Sequence, residues 1–223
     1  MKGGRIASLV LLTVLSALLL WAGDPWKEKP YTEWTAKDVQ KVLADSPWAQ
    51  PTWMKGQSDL TFSPATGTVL EPNAGTKFVV LWASALTVRQ ALLRQQESRG
   101  EAREGEFAEA LFTQPDDYVI VVRWEGMEYH KAFDVTNAEL KLGRSKRKVG
   151  TTKMEFEGEG SRITGVVLSF PRETAESTLA ATETKIAFSC VVRGSSPLGS
   201  PYQAILNAEF DLRKMVRDGK PDL

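Results

Sequence analysis

One cysteine and one histidine in 223 residues leave few routes to metal or nucleophilic chemistry. The single thiol, Cys190, allows no internal disulfide, so packing must hold the fold rather than cross-links. One Cys and one His, the latter at position 130, cannot furnish the usual closed zinc site. Calcium needs a dense run of oxygen ligands, and neither Asp116-Asp117 nor Glu155, Glu157 and Glu159 supplies one. A phosphate-cradling glycine loop is missing too, because Gly158-Glu159-Gly160 follows a strand pattern but opens no helix. Nor is there an excess of either charge: 28 Lys and Arg balance 28 Asp and Glu, which removes any general attraction to nucleic acid or anionic lipid. The composition predicts no cofactor, no metal and no nucleic-acid partner.

What is present begins at the N-terminus. Lys2 and Arg5 precede an uncharged run from Ile6 to Ala22, strongly apolar from Leu9 to Leu20, and polarity returns at Asp24. That order is the order of an export signal. The run is longer than most signal-peptide cores and shorter than the roughly 20 residues that span a bilayer comfortably. Residues 1–23 are therefore expected to be a signal peptide cleaved near Ala22 or Gly23. The alternative is an uncleaved inner-membrane anchor, with membrane contact through residues 1–23 alone. Residues 24–223 are expected to form a single domain that works outside the cytoplasm, periplasmic or secreted.

Along that domain, Thr35 is a plausible N-cap with Asp38 at the third helical position. Ala36, Val39, Val42 and Leu43 then recur at helical spacing until Ser46-Pro47 stops the helix. Short edge strands are expected at Leu60–Phe62 and Thr68–Leu70. The apolar run Phe78–Ala83 reads as a strand covered on both faces. Ser84 is expected to cap a second helix facing inward through Ala85, Val88, Ala91 and Leu92, and a third is expected around Phe107–Leu111. The second half reads as strands at 118–124, 129–135, 152–157, 163–170, 185–193 and 204–212, with turns at Glu125-Gly126 and Gly158–Ser161. Residues 172–182 read as a polar crossover with a helical turn. The predicted fold class is α+β: mainly an antiparallel sheet or small sandwich, with two or three helices from the N-terminal half.

Candidate sites are few. His130 shares a strand face with Glu128, Ala132 and Asp134, and Asp134 lies roughly 13 Å along the strand, beyond hydrogen-bond reach. The acid pairs Glu155/Glu157 and Glu209/Asp211 sit on polar strand faces and read as solvated surface. Lys141, Arg144, Lys146, Arg147 and Lys148 read as a solvated basic loop beside the acidic strand. Cys190 alternates with Ile186, Phe188 and Val192 and reads as a small buried hydrophobe. Tryptophan is the unusual signal, with Trp26, Trp34, Trp48 and Trp53 flanking the first helix. Such rings either pin a loose N-terminal segment by burying large apolar area, or stack on a ligand. Trp34, Trp48 and Trp53 are the candidate ligand or partner surface.

The stretch Trp34–Ala49, WTAKDVQKVLADSPWA, resembles the opening of a group of exported bacterial proteins. The segments Leu81–Leu92 and Phe210–Val216 resemble the same group. The resemblance implies a bacterial envelope protein and brings no activity, cofactor or site residue with it. The expected function is a non-catalytic binding or structural module of the envelope, with an envelope partner or ligand. The alternative is an envelope hydrolase using paired carboxylates or a Ser/His site.

Overall fold

The computed structural model describes residues 23–53, 55–56, 61–62, 69–70, 77–100, 113–124, 131–159, 162–174, 177–178, 183–195 and 201–223. The leader, His130, the Glu125-Gly126 turn and the helix expected at Phe107–Leu111 lie outside the described residues. Two five-stranded antiparallel sheets form the body of the molecule. Sheet one runs β1 (Ala49–Trp53), β5 (Lys77–Trp82), β6 (Asp117–Trp124), β10 (Arg162–Pro171), β9 (Lys153–Glu159). Sheet two runs β2 (Lys55–Gly56), β14 (Pro201–Asp211), β13 (Lys185–Ser195), β7 (Lys131–Leu142), β8 (Lys148–Gly150). The short strands β3 (Thr61–Phe62) and β4 (Val69–Leu70) pair where edge strands were expected.

The edge strands of the two sheets are continuous along the chain. Trp53 pairs with Lys77 in sheet one, and Lys55 pairs with Ile205 in sheet two. At the opposite seam the Thr151 amide donates to Ala138 of sheet two, and the Thr152 amide donates to Ser169 of sheet one. The chain thus passes from one sheet to the other at each seam, and the two sheets face each other as a flattened ring of strands. β7, the β8–β9 run and β10 follow one another, and β13 returns beside β7, a Greek-key order.

Alternation along the strands fills the ring. Phe78, Val80 and Trp82 point inward from β5, and Leu206, Ala208 and Phe210 from β14. Trp82 meets Phe210 edge-on at 5.1 Å between centroids, and Phe170 meets Phe188 at 6.3 Å, so aromatic pairs bridge the sheets. Cys190 lies in this interior beside Phe188 and Val192, where burial pushes its thiol up to about 12.

Helices cover part of the outer face of sheet one. α1 (Pro25–Glu28) and a 3₁₀ turn (Tyr31–Glu33) lead into α2 (Ala36–Ala44), which contacts β1, β5 and α3 (Leu86–Ser98). Thr35 and Asp38 form the reciprocal capping box expected at the start of α2. Val39, Val42 and Leu43 face the core. Among the described residues no helix is long and apolar enough to cross a membrane.

Three expectations need correction. Ser84 does not cap α3: its N-cap is Ala85, and the Leu86 and Thr87 amides donate instead to the carboxylate of Asp222 at 2.6 and 3.0 Å. Local sequence cannot supply a cap borrowed from 136 residues away. The strand begun before Val135 continues to Leu142, so Lys141 and Lys148 are strand residues, and only Arg144, Lys146 and Arg147 lie in the loop expected there. Among the described residues of 172–182, β11 (Glu173–Thr174) pairs with β12 (Ser177–Thr178), a small ribbon where a helical turn was expected.

Candidate functional site

The early tryptophans are structural anchors. Trp34 is 2% exposed, and its indole N–H donates to the carbonyls of Pro25 and Lys29. Those bonds fold the lead-in around the Trp34 indole. Trp48 is fully buried; its N–H donates to the Asp222 carbonyl at 2.7 Å, and its ring meets Trp26 edge-on at 5.5 Å. Lys41 sits over the Trp26 face, 5.7 Å from the centroid. Trp48 is enclosed on all sides and offers no face to a ligand, while Trp34 reaches open space only at the margin of a groove beside α2. The side chain of Trp53 lies outside the described residues; its backbone pairs with Lys77 in β1.

The same helices leave a groove. It is about 410 Å³ and lies between α2, through Thr35, Ala36, Val39 and Gln40, and α3, through Arg94, Gln95, Glu97, Ser98 and Arg99. Trp34 contributes the edge at which the chain enters α2. Arg94 donates to the Trp34 carbonyl at 3.2 Å, tying α3 to the segment that enters α2, and pairs within its own helix with Glu97 at 2.9 Å. Ala36 and Val39 supply apolar wall, while Gln40, Gln95 and Arg99 bring amide and guanidinium groups. The groove's hydroxyls are already engaged: Thr35 donates to Asp38, and Ser98 donates to the Gln95 carbonyl. Such a lining can hold a ligand or a partner segment by contact and hydrogen bonding; it presents no nucleophile beside a base.

The acids singled out in the sequence are held in ion pairs. Glu209 pairs with Lys185 at 2.6 Å, Asp211 with Arg213 at 2.8 Å, Glu155 with Lys153 at 2.9 Å, and Glu157 with Arg123 at 3.1 Å. Burial pushes Asp38 upward, but hydrogen bonds from Lys29 and Thr35 outweigh it and bring the carboxyl to about 2. The Arg213 guanidinium holds Asp211 at about 2 as well. Asp24, beside Lys27, and Glu183 also move down. A general acid at neutral pH requires the opposite direction. Among the described residues no group of three His, Cys, Asp or Glu side chains gathers as a metal site would need.

Lys148 pairs with Glu139 at 2.8 Å. The Arg144 and Ser145 amides donate to buried Glu183 at 2.6 and 3.1 Å, so one carboxylate caps the whole turn. Sequence reasoning missed Glu183, Asp222 and Arg172. Arg172 stacks on Tyr118 at 4.4 Å and donates to the carbonyls of Pro115 and Leu223. Each serves backbone atoms far away in sequence, and no local pattern signals that.

No family model, no curated protein and no solved structure matches this chain.

Proposed function

We propose that this chain is an exported protein of the bacterial envelope whose α+β domain serves as a non-catalytic binding or structural module, contacting its partner through the α2–α3 groove. The observation that carries the export reading is the leader: two basic residues, an uncharged run from Ile6 to Ala22, and a sharp return of polarity at Asp24. The binding reading draws on ion-paired acids, engaged hydroxyls and a groove whose open groups are amides and guanidinium. The early tryptophans belong to the scaffold that shapes this groove.

The test is fractionation of cells expressing the full chain, with intact mass of the recovered product. The proposal expects the product outside the cytoplasm, either shortened near residue 22 or 23 or held in the inner membrane through residues 1–23. A soluble cytoplasmic product of full mass contradicts it.

A further inference from the structure

We propose that residues 212–223 act as a latch that holds the helical cap on the strand ring, so that cap and latch open together while the ring stays closed. The cap comprises α1, the 3₁₀ turn, α2 and α3. It is tied internally by Lys29–Asp38 at 2.7 Å, by the Lys41 ammonium on the Gly23 carbonyl at 3.0 Å, and by Arg94 on the Trp34 carbonyl. Besides the packing of α2 on β1 and β5 and the Arg89 bond to the Thr113 carbonyl at 2.7 Å, its polar fastenings to the rest of the molecule gather on one short segment. β15 (Val216–Arg217) and β16 (Lys220–Pro221) form a tight hairpin whose turn residues, Asp218 and Gly219, have φ of 50° and 75°. Positive φ at both turn positions suits a two-residue hairpin.

That hairpin places one residue at the meeting point of three elements. The Asp222 carboxylate takes the first two amides of α3, which has no side-chain cap of its own. The Asp222 carbonyl takes the Trp48 indole N–H, just before β1. The Asp222 amide donates to the Met215 carbonyl at 2.9 Å and closes the hairpin on itself. Alongside, Arg217 donates to buried Gln90 of α3, and the Leu223 carbonyl accepts from Arg172 at the end of β10 at 2.6 Å. Met215 and Leu223 are buried and seat the segment. Beneath the cap lie Leu81 and Val121, 1% and 4% exposed. They alternate with the inward residues of β5 and β6, so they sit on the outer face of sheet one. Opening the latch uncovers this apolar face, which the groove-bearing helices otherwise cover. The ring itself depends on strand pairing at both seams and on the Trp82–Phe210 and Phe170–Phe188 contacts. Only Trp82–Phe210 comes near the latch in sequence.

Hydrogen exchange by mass spectrometry on the intact protein tests this, comparing wild type with Asp222→Ala. Losing the carboxylate removes a helix cap and a favourable charge at the α3 N-terminus, expected to speed exchange about 10- to 100-fold. Peptides covering 36–44, 86–98 and 212–223 should accelerate by a common factor, while those covering 117–124, 162–171 and 185–195 keep wild-type rates. Should the alanine variant fail to fold, Asp222→Asn retains one acceptor and should give the same pattern with a smaller factor. Acceleration confined to 86–98 would reduce Asp222 to a simple cap, and equal acceleration in all strands would show that no separable unit exists. Either result overturns the latch.

Discussion

Replacing Trp48 with phenylalanine leaves an aromatic ring in a fully buried site but removes the N–H that reaches the Asp222 carbonyl. The orphaned carbonyl lies in the interior, and leaving such an acceptor unsatisfied costs about 1–3 kcal/mol. The atoms missing from the smaller ring leave a void beside Trp26 worth roughly 1 kcal/mol more. The sum is about 2–4 kcal/mol. For a domain of this size it corresponds to a fall in Tm of roughly 4–16 °C, at 2–4 °C per kcal/mol. Trp48→Ala should cost about 3–5 kcal/mol through the larger cavity. Urea unfolding followed by far-UV circular dichroism is the right assay, because the substitution removes a fluorophore. Combining Trp48→Phe with Asp222→Ala adds a check: the carbonyl survives in the alanine variant, so any coupling between the two substitutions reports the hairpin that positions it. A Trp48→Phe variant within about 0.5 kcal/mol of wild type, the range of ordinary surface changes, would refute the reasoning.

Gly165 pairs with Arg123 on one side and Glu157 on the other, beneath their ion pair, and a Cβ there would meet the Glu157 carboxylate at 2.9 Å and the Val122 carbonyl at 3.0 Å. Gly165→Ala should therefore destabilise by about 1–2 kcal/mol in urea unfolding. Gly150→Ala, with open space around the new methyl, should be neutral or stabilise by about 0.5 kcal/mol; equal effects at the two sites would contradict the packing. Glu183 is pushed up by burial but pulled further down by the Arg144 and Ser145 hydrogen bonds and the Arg144 charge, so its folded pKa lies below its unfolded value. Its stabilisation is present above the unfolded carboxylate pKa, about 4.3, and is lost as pH falls through the lower folded value. Glu183→Gln should lower the urea midpoint at pH 7 and flatten its decline below about pH 4.3. Wild-type and variant midpoints that fall in parallel with acid would count against that role.

Local physics made much of the ring legible. The alternation of Ala204, Leu206, Ala208, Phe210 and Leu212 has period 2, and each of these residues is buried. Thr35 and Asp38 cap α2 because the donor and acceptor lie three residues apart, within reach of sequence inspection. The cap on α3 was not legible, because its carboxylate comes from Asp222, which shares no periodicity with the helix it serves. The roles of Trp34 and Trp48 needed the third dimension too. Composition shows aromatic mass near the first helix, but only the Pro25, Lys29 and Asp222 carbonyls reveal that the indoles point inward. The groove is invisible in sequence for the same reason, since it is made by where two helices meet.

The two tryptophans flanking α2 lock the cap and are withdrawn from solvent. Fluorine NMR of protein labelled with 5-fluorotryptophan, with Trp34 and Trp48 assigned by single Trp→Phe substitutions, measures this directly. Neither resonance should shift between H₂O and D₂O, and neither should broaden with a soluble paramagnetic agent. A solvent-induced shift at Trp34 or Trp48 comparable to that of free 5-fluorotryptophan would contradict it.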